Sequence, residues 1–145
     1  VMTKLTDYVL QLYGSRDYLA RQPDIESRDD LRLHTFISYV DDLLFSKELQ
    51  LLDELYRPER FALRSTSILT QYEAVKAGAG LAVLPAFVAA RDPALVPVLP
   101  GQARFTRTFW MSMPAEAKHQ ARMQATWAFV RETVQGLQDW INPPA

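Results

Sequence analysis

The chain has 145 residues, 48% hydrophobic and 23% charged, with 16 Lys and Arg against 17 Asp and Glu for a net charge of −1. Those figures fit one globular domain with a proper core and argue against a nucleic-acid-binding surface, which needs a basic stripe. The absence of cysteine excludes disulfides, thiolate catalysis and Cys-ligated metal, and no apolar run approaches the roughly 20 residues of a membrane-spanning helix.

No secretory signal pattern opens the sequence, which starts at Val1 rather than at a methionine, as a fragment would. Tyr8, Leu10 and Leu12 alternate as in a strand. Ser15 then caps a short helix that Pro23 ends. "DDLRLH" reads as a helical turn and "TFISYV" (35–40) as a strand rich in β-branched and aromatic residues. Phe45, Leu49, Leu52 and Tyr56 recur at helical spacing up to Pro58. A short strand, "RFALRS" (60–65), follows.

"SILTQYEAVKAGAGLAVLP" (67–85) changes period in its middle. It reads as a helix to Lys76, with Gly78 as a left-handed stop and Gly80 as a close turn. "LAVLP" then reads as a strand buried on both faces, in the manner of parallel sheets, with Pro85 ending its ladder. "AFVAARDP" predicts a short helix, "LVPVLP" an edge strand and "RTFWMSM" (107–113) a further strand. A long helix is predicted from about Glu116, with Met123, Trp127, Val130, Val134, Leu137 and Ile141 as a continuous stripe and Pro143 and Pro144 as a frayed tail. Strands and helices alternate, so the class is α/β.

The chemistry is sparse. Ser65, Thr66 and Ser67 stand between a strand and a helix. Plain capping by Ser67 or Thr66 is one reading, and an anion site at the free amides of the first turn is the other. His34 and His119 lack metal-ligand spacing, and Asp41 with Asp42 reads first as a cap or a solvated loop. No nucleophile elbow, phosphate loop or dinucleotide fingerprint is present, so neither an enzyme nor a cofactor or metal protein is expected.

"LYGSRDYLARQPDI", "FISYVDDLL" and "LRSTSILTQYEAVKAGAGLAVLPAFVAARDPALVPVLP", followed by "TFWMSMP" and a long helix, together resemble the effector-binding domain of LysR-type transcriptional regulators. The order and spacing of these pieces carry the likeness, and Glu73 to Pro85 is the most specific of them. The resemblance implies a fold like the type 2 periplasmic binding proteins, in which two α/β subdomains are joined by two crossovers with a ligand cleft between. On that frame residues 1–145 form a partial domain. About 13–105 would be the second subdomain, and about 106–141 the return strand and terminal helix, which pack on the first. The chain would open at the first crossover, without the winged helix and most of the first subdomain.

By the same resemblance, Tyr39, Val40, Asp41, Ser65, Thr66, Ser67, Leu84, Pro85 and Phe87 would line the cleft. The expected function is sensing of a small, anionic effector in the cytoplasm by a homo-oligomer, a dimer, that contacts DNA only through the winged helix of the parent regulator. The alternative is a fragment of a transporter's periplasmic solute-binding protein.

Overall fold

The computed structural model describes residues 1–43 and 51–144. Its elements in chain order are β1 (Met2–Ser15), α1 (Arg16–Arg21), β2 (Phe36–Ser38), α2 (Leu51–Leu55), β3 (Phe61–Arg64), α3 (Ile68–Lys76), β4 (Ala82–Pro85), α4 (Ala86–Ala89), β5 (Leu95–Pro97), β6 (Arg104–Ser112), α5 (Ala121–Gly136) and α6 (Gln138–Ile141), with short 3-10 turns between some of them. The expected helix positions Phe45 and Leu49 lie outside the described residues, whereas Leu51, Leu52 and Leu55 are helical and buried.

β1 is the axis of the molecule. It pairs antiparallel with β6 from Met2↔Ser112 to Gln11↔Arg104, with an irregularity between Lys4 and Thr6. It pairs with β4 from Leu10↔Pro85 to Tyr13↔Ala82, and with β5 from Tyr13↔Pro97 to Ser15↔Leu95. Neighbouring residues of β1 serve different cores: Leu12 packs with Leu31, Phe36, Leu52 and Leu81, while Tyr13 packs with Ile37, Val75, Leu84 and Leu95. Successive strand side chains point to opposite faces, so apolar layers cover this sheet on both sides. Full burial of a side chain such as Leu12, Phe36 or Leu81 is worth about 1.5–3 kcal/mol.

A second, two-stranded sheet pairs β2 with β3 in parallel, and an isolated parallel bridge from Phe36 to Leu81 ties it to the start of β4. β4 is buried on both faces as its apolar run predicts, but the expectation of a parallel strand holds only at that bridge. Its ladder is with β1 and antiparallel. An uninterrupted apolar run reports how many faces are covered, not the direction of the neighbour.

Two other expectations are corrected at the C-terminal end. The last long helix starts at Ala121, after a 3-10 turn at Ala115–Ala117, and is interrupted at Leu137, next to Gly136. Glycine weakens the helix there, since it carries the largest backbone entropy cost. The tail is not frayed. Pro143 is buried, and Asn142 Nδ2 donates to the Asp7 carbonyl at 2.9 Å, docking the chain end on β1.

Candidate functional site

The parallel pairing of β2 and β3 sends the two following loops out of the same sheet edge. The ladder continues one step beyond the strands, because Ser65 N donates to Ser38 O at 2.9 Å. Residues 39–41 and 65–67 are therefore neighbours. Since β4 begins beside β2 in the same direction, Leu84 and Pro85 lie toward that carboxyl edge as well, where ligands of open α/β sheets collect.

α3 starts at this edge. Ser67 is its cap, and its hydroxyl accepts from Thr70 N at 3.3 Å. Ser65 Oγ accepts from Ser67 N at 3.1 Å, and the buried Gln71 donates Nε2 to Ser65 O at 2.9 Å. The Thr66 side chain is exposed and bridges nothing among the described residues. Among those residues the amides of Thr66, Ile68 and Leu69 also meet no acceptor. Both readings of the hydroxyl cluster thus persist: Ser67 caps, and first-turn donors are left over.

The charge beside this turn is internally compensated. Arg64 Nη1 lies 3.4 Å from Asp41 Oδ2, with its guanidinium carbon 4.0 Å from the centre of the Phe61 ring. Strand alternation alone leaves the direction of Arg64 undecided, and the structure turns it toward the 39–41 loop. Tyr39 is half-buried, and burial raises its pKa above the ordinary tyrosine value, with Tyr8 pushing the same way. Val40 is half-buried, and its carbonyl accepts from Leu43 N.

Three predicted positions behave differently from these loops. Leu84 is fully buried among Tyr13, Val75 and Ala89, so its side chain faces the inner core. Its neighbour Val83 takes the place expected of it, lining a small pocket with Ile37, Ser38, Tyr39, Leu51, Leu52 and Gln71. Strand parity separates the two residues. Pro85 is buried at the strand end, and Phe87 turns to β1 and α6, its ring 6.1 Å from that of Tyr8 and 5.9 Å from that of Trp140. The signal for Gln71 was one polar residue, one turn beyond Ser67, on the helix face that carries Val75.

The small pocket measures about 10 Å³, enough for about one water. What this edge offers a ligand is mainly its open surface. A pocket of about 440 Å³ lies along α5, between Val1, Met113, Trp127 and Arg131, and includes none of the predicted residues. Among the described residues no group of three or more His, Cys, Asp or Glu is gathered, and no helix is long and apolar enough to cross a membrane.

Residues 1–135 match the family model of the LysR substrate binding domain. The fold is that of the CrgA regulatory domain, from a LysR-type transcriptional regulator of Neisseria meningitidis, with a TM-score of 0.72 and 20% identity over 92% of this chain and 68% of that one. It is also that of the C-terminal domains of a LysR family protein from Agrobacterium tumefaciens, with a TM-score of 0.74 and 18% identity over 94% and 67%. Full-length AphB, the virulence activator of Vibrio cholerae, gives a TM-score of 0.73 at 17% identity, with 92% of this chain covering 47% of that one. A search of curated protein sequences finds no match. The family model covers nearly the whole chain, and the architecture is the mixed α/β, type 2 periplasmic-binding-protein-like fold. The chain belongs to the LysR substrate-binding domain family and is an effector-sensing regulatory domain.

Proposed function

We propose that the sensed effector is a small anion held at the shared carboxyl edge of β2, β3 and β4. The Tyr39–Asp41 loop would stand on one side and Ser65, Thr66 and Ser67 on the other, with the Val83 side chain and the backbone of Leu84 and Pro85 behind and Phe87 farther off against Tyr8. The observation that carries this reading is the Ser65-to-Ser38 hydrogen bond, which joins the two loops beside the spare amides of α3. Oriented amides and a helix N-terminus stabilise negative charge without a neighbouring cation. The Phe87 ring lies 6.1 Å from that of Tyr8 on β1, and Tyr8 also acts on the Tyr39 hydroxyl electrostatically. A ligand bound between Tyr39 and Phe87 would act on the crossover and bias the quaternary arrangement of the regulator, a population shift and not a turnover.

In this reading the domain works as a homo-oligomer, a dimer, in the cytoplasm, where the winged helix of the full-length regulator contacts DNA. The solute-receptor alternative is not favoured by the family match. Proton-coupled NMR of the labelled chain tests the site with sulfate and acetate as probes. The amides of Thr66, Ile68 and Leu69 should shift saturably. Asp41→Asn, which releases Arg64 toward the anion, should strengthen binding, while Ser67→Ala should weaken it. No shift at these amides with either probe, or no change in binding in both variants, overturns the assignment.

A further inference from the structure

A third, separate cavity, of about 240 Å³, lies on the face of β1 that carries Gln11 and Tyr13. It is closed by Ala86 and Ala90 of α4, by Leu95, Pro97 and Pro100 around β5, and by the docked tail at Pro143 and Pro144. Three polar side chains enter this apolar wall: Gln11, Tyr13 and Arg104. Gln11 is 2% exposed, and its Nε2 is held by the carbonyls of Val98 at 2.9 Å and Leu12 at 3.2 Å, so that part of the wall is fixed.

Tyr13 is 4% exposed, and its hydroxyl has no hydrogen-bond partner among the described residues. Among the described residues it is not one of the sealed polar atoms, so it is reached from the cavity that its side chain lines. A hydroxyl that opens into a cavity and is taken by no protein acceptor is free to donate to water or to the acceptor of a bound ligand. Arg104, opposite Gln11 in the β1–β6 ladder, lines the same cavity as Tyr13. It makes no salt bridge among the described residues, and no acidic side chain lines the cavity there.

We propose that this cavity is a ligand site for a small monocarboxylic acid, whose carboxylate accepts from the Tyr13 hydroxyl and pairs with Arg104 while its short apolar body rests on the alanine and proline wall. The volume of about 240 Å³ lies just below the roughly 300–1,000 Å³ of drug-sized ligand pockets, which suits a single ring or a short chain. Burial raises the pKa of Tyr13 while Arg104 opposes the rise, so the hydroxyl is a neutral donor at pH 7. Occupation would brace α4, β5 and the C-terminal tail against β1. The site lies apart from the 39–41 and 65–67 loops and does not rest on the reading of that edge.

The test uses benzoate as the probe and benzamide, its neutral counterpart of similar shape, on the labelled 145-residue chain. Benzoate should shift the amides of Gln11, Ala90 and Arg104 saturably, and benzamide should bind at least about tenfold more weakly, the loss expected when a charge-assisted pair is missing. Tyr13→Phe and Arg104→Met should each weaken benzoate by about tenfold or more, with thermal midpoints close to that of the unaltered chain. Ser67→Ala, at the other site, should leave benzoate binding here unchanged. Absence of saturable shifts, shifts confined to the 65–69 amides, or benzoate affinity in Tyr13→Phe or Arg104→Met unchanged from that of the unaltered chain overturns the proposal.

Discussion

The Tyr72 hydroxyl donates a short hydrogen bond to the Asp92 carboxylate, fastening α3 to the turn that leads into β5. Lys76 Nζ lies 3.0 Å from the same oxygen, and the other oxygen accepts from Ala94 N at 2.9 Å. The Asp92 side chain is only 9% exposed against 46% for Lys76, so the Tyr72 and Ala94 bonds are better shielded from solvent than the ion pair.

The Tyr72 bond, the Ala94 amide and Lys76 together lower the Asp92 pKa from 3.8 to about 2. A carboxylate with a depressed folded pKa stabilises the fold above its unfolded value, and that stability is lost as pH falls from about 4 toward 2. Its size is on the order of 2 kcal/mol. Tyr72→Phe should therefore cost about 1–2 kcal/mol at pH 7 and flatten the acid limb of stability. Urea unfolding of both proteins at pH 7 and pH 3 checks this, and parallel pH dependences would contradict it.

His34 should give a second acid transition, nearer neutrality. The ring is 2% exposed and its Nδ1 lies 3.1 Å from the Tyr18 hydroxyl, which also accepts from Thr35 N at 3.1 Å. Its Nε2 faces the Pro23 carbonyl without reaching hydrogen-bond geometry. Burial lowers the pKa below 6.5, with Arg60 acting in the same sense and the Pro23 carbonyl and Asp30 against it. The folded state thus favours the neutral ring, so stability is full above the unfolded pKa and falls as pH drops below about 6.5. Between pH 7.5 and 5.5 the chain should lose stability, and His34→Gln should remove most of that slope.

The two glycines of the α3–β4 junction should respond unequally to alanine. A Cβ on Gly80 would stand 2.5 Å from the Thr35 carbonyl oxygen. That carbonyl accepts from Leu81 N at 2.9 Å, in the bridge that joins the two sheets. Gly80→Ala forces backbone apart and should cost about 1–3 kcal/mol or more. Gly78, at φ +81°, meets chiefly the flexible end of Arg21, so Gly78→Ala should cost about 1–2 kcal/mol, from backbone strain. Thermal midpoints of the two variants decide the order.

Self-association is expected through α5 and its surroundings. Phe129 is 68% exposed, Trp110 58% and Trp140 48%, while Met123, Trp127, Val130 and Val134 are half-covered. Exposed apolar surface of this extent marks an interface. Sedimentation at rising concentration should show a dimer, and Phe129→Asp with Trp110→Ser should shift it to monomer. A monomer at every concentration would refute the expectation.

Much of this architecture was legible in local pattern. The Ser15 cap, the left-handed Gly78, the Gly80 approach and the burial of "LAVLP" each follow from steric or periodic rules that act within a few residues. Ordered along the chain, they were enough to suggest the family. The tertiary structure alone decided three things. It made β4 antiparallel to β1, because burial on both faces is compatible with either direction. It put Val83 rather than Leu84 against Tyr39, because a run of apolar residues conceals which parity faces which core. It brought Arg64 to Asp41 and the Pro143 tail onto β1, since contacts across 23 and more than 130 residues depend on packing that no local period encodes.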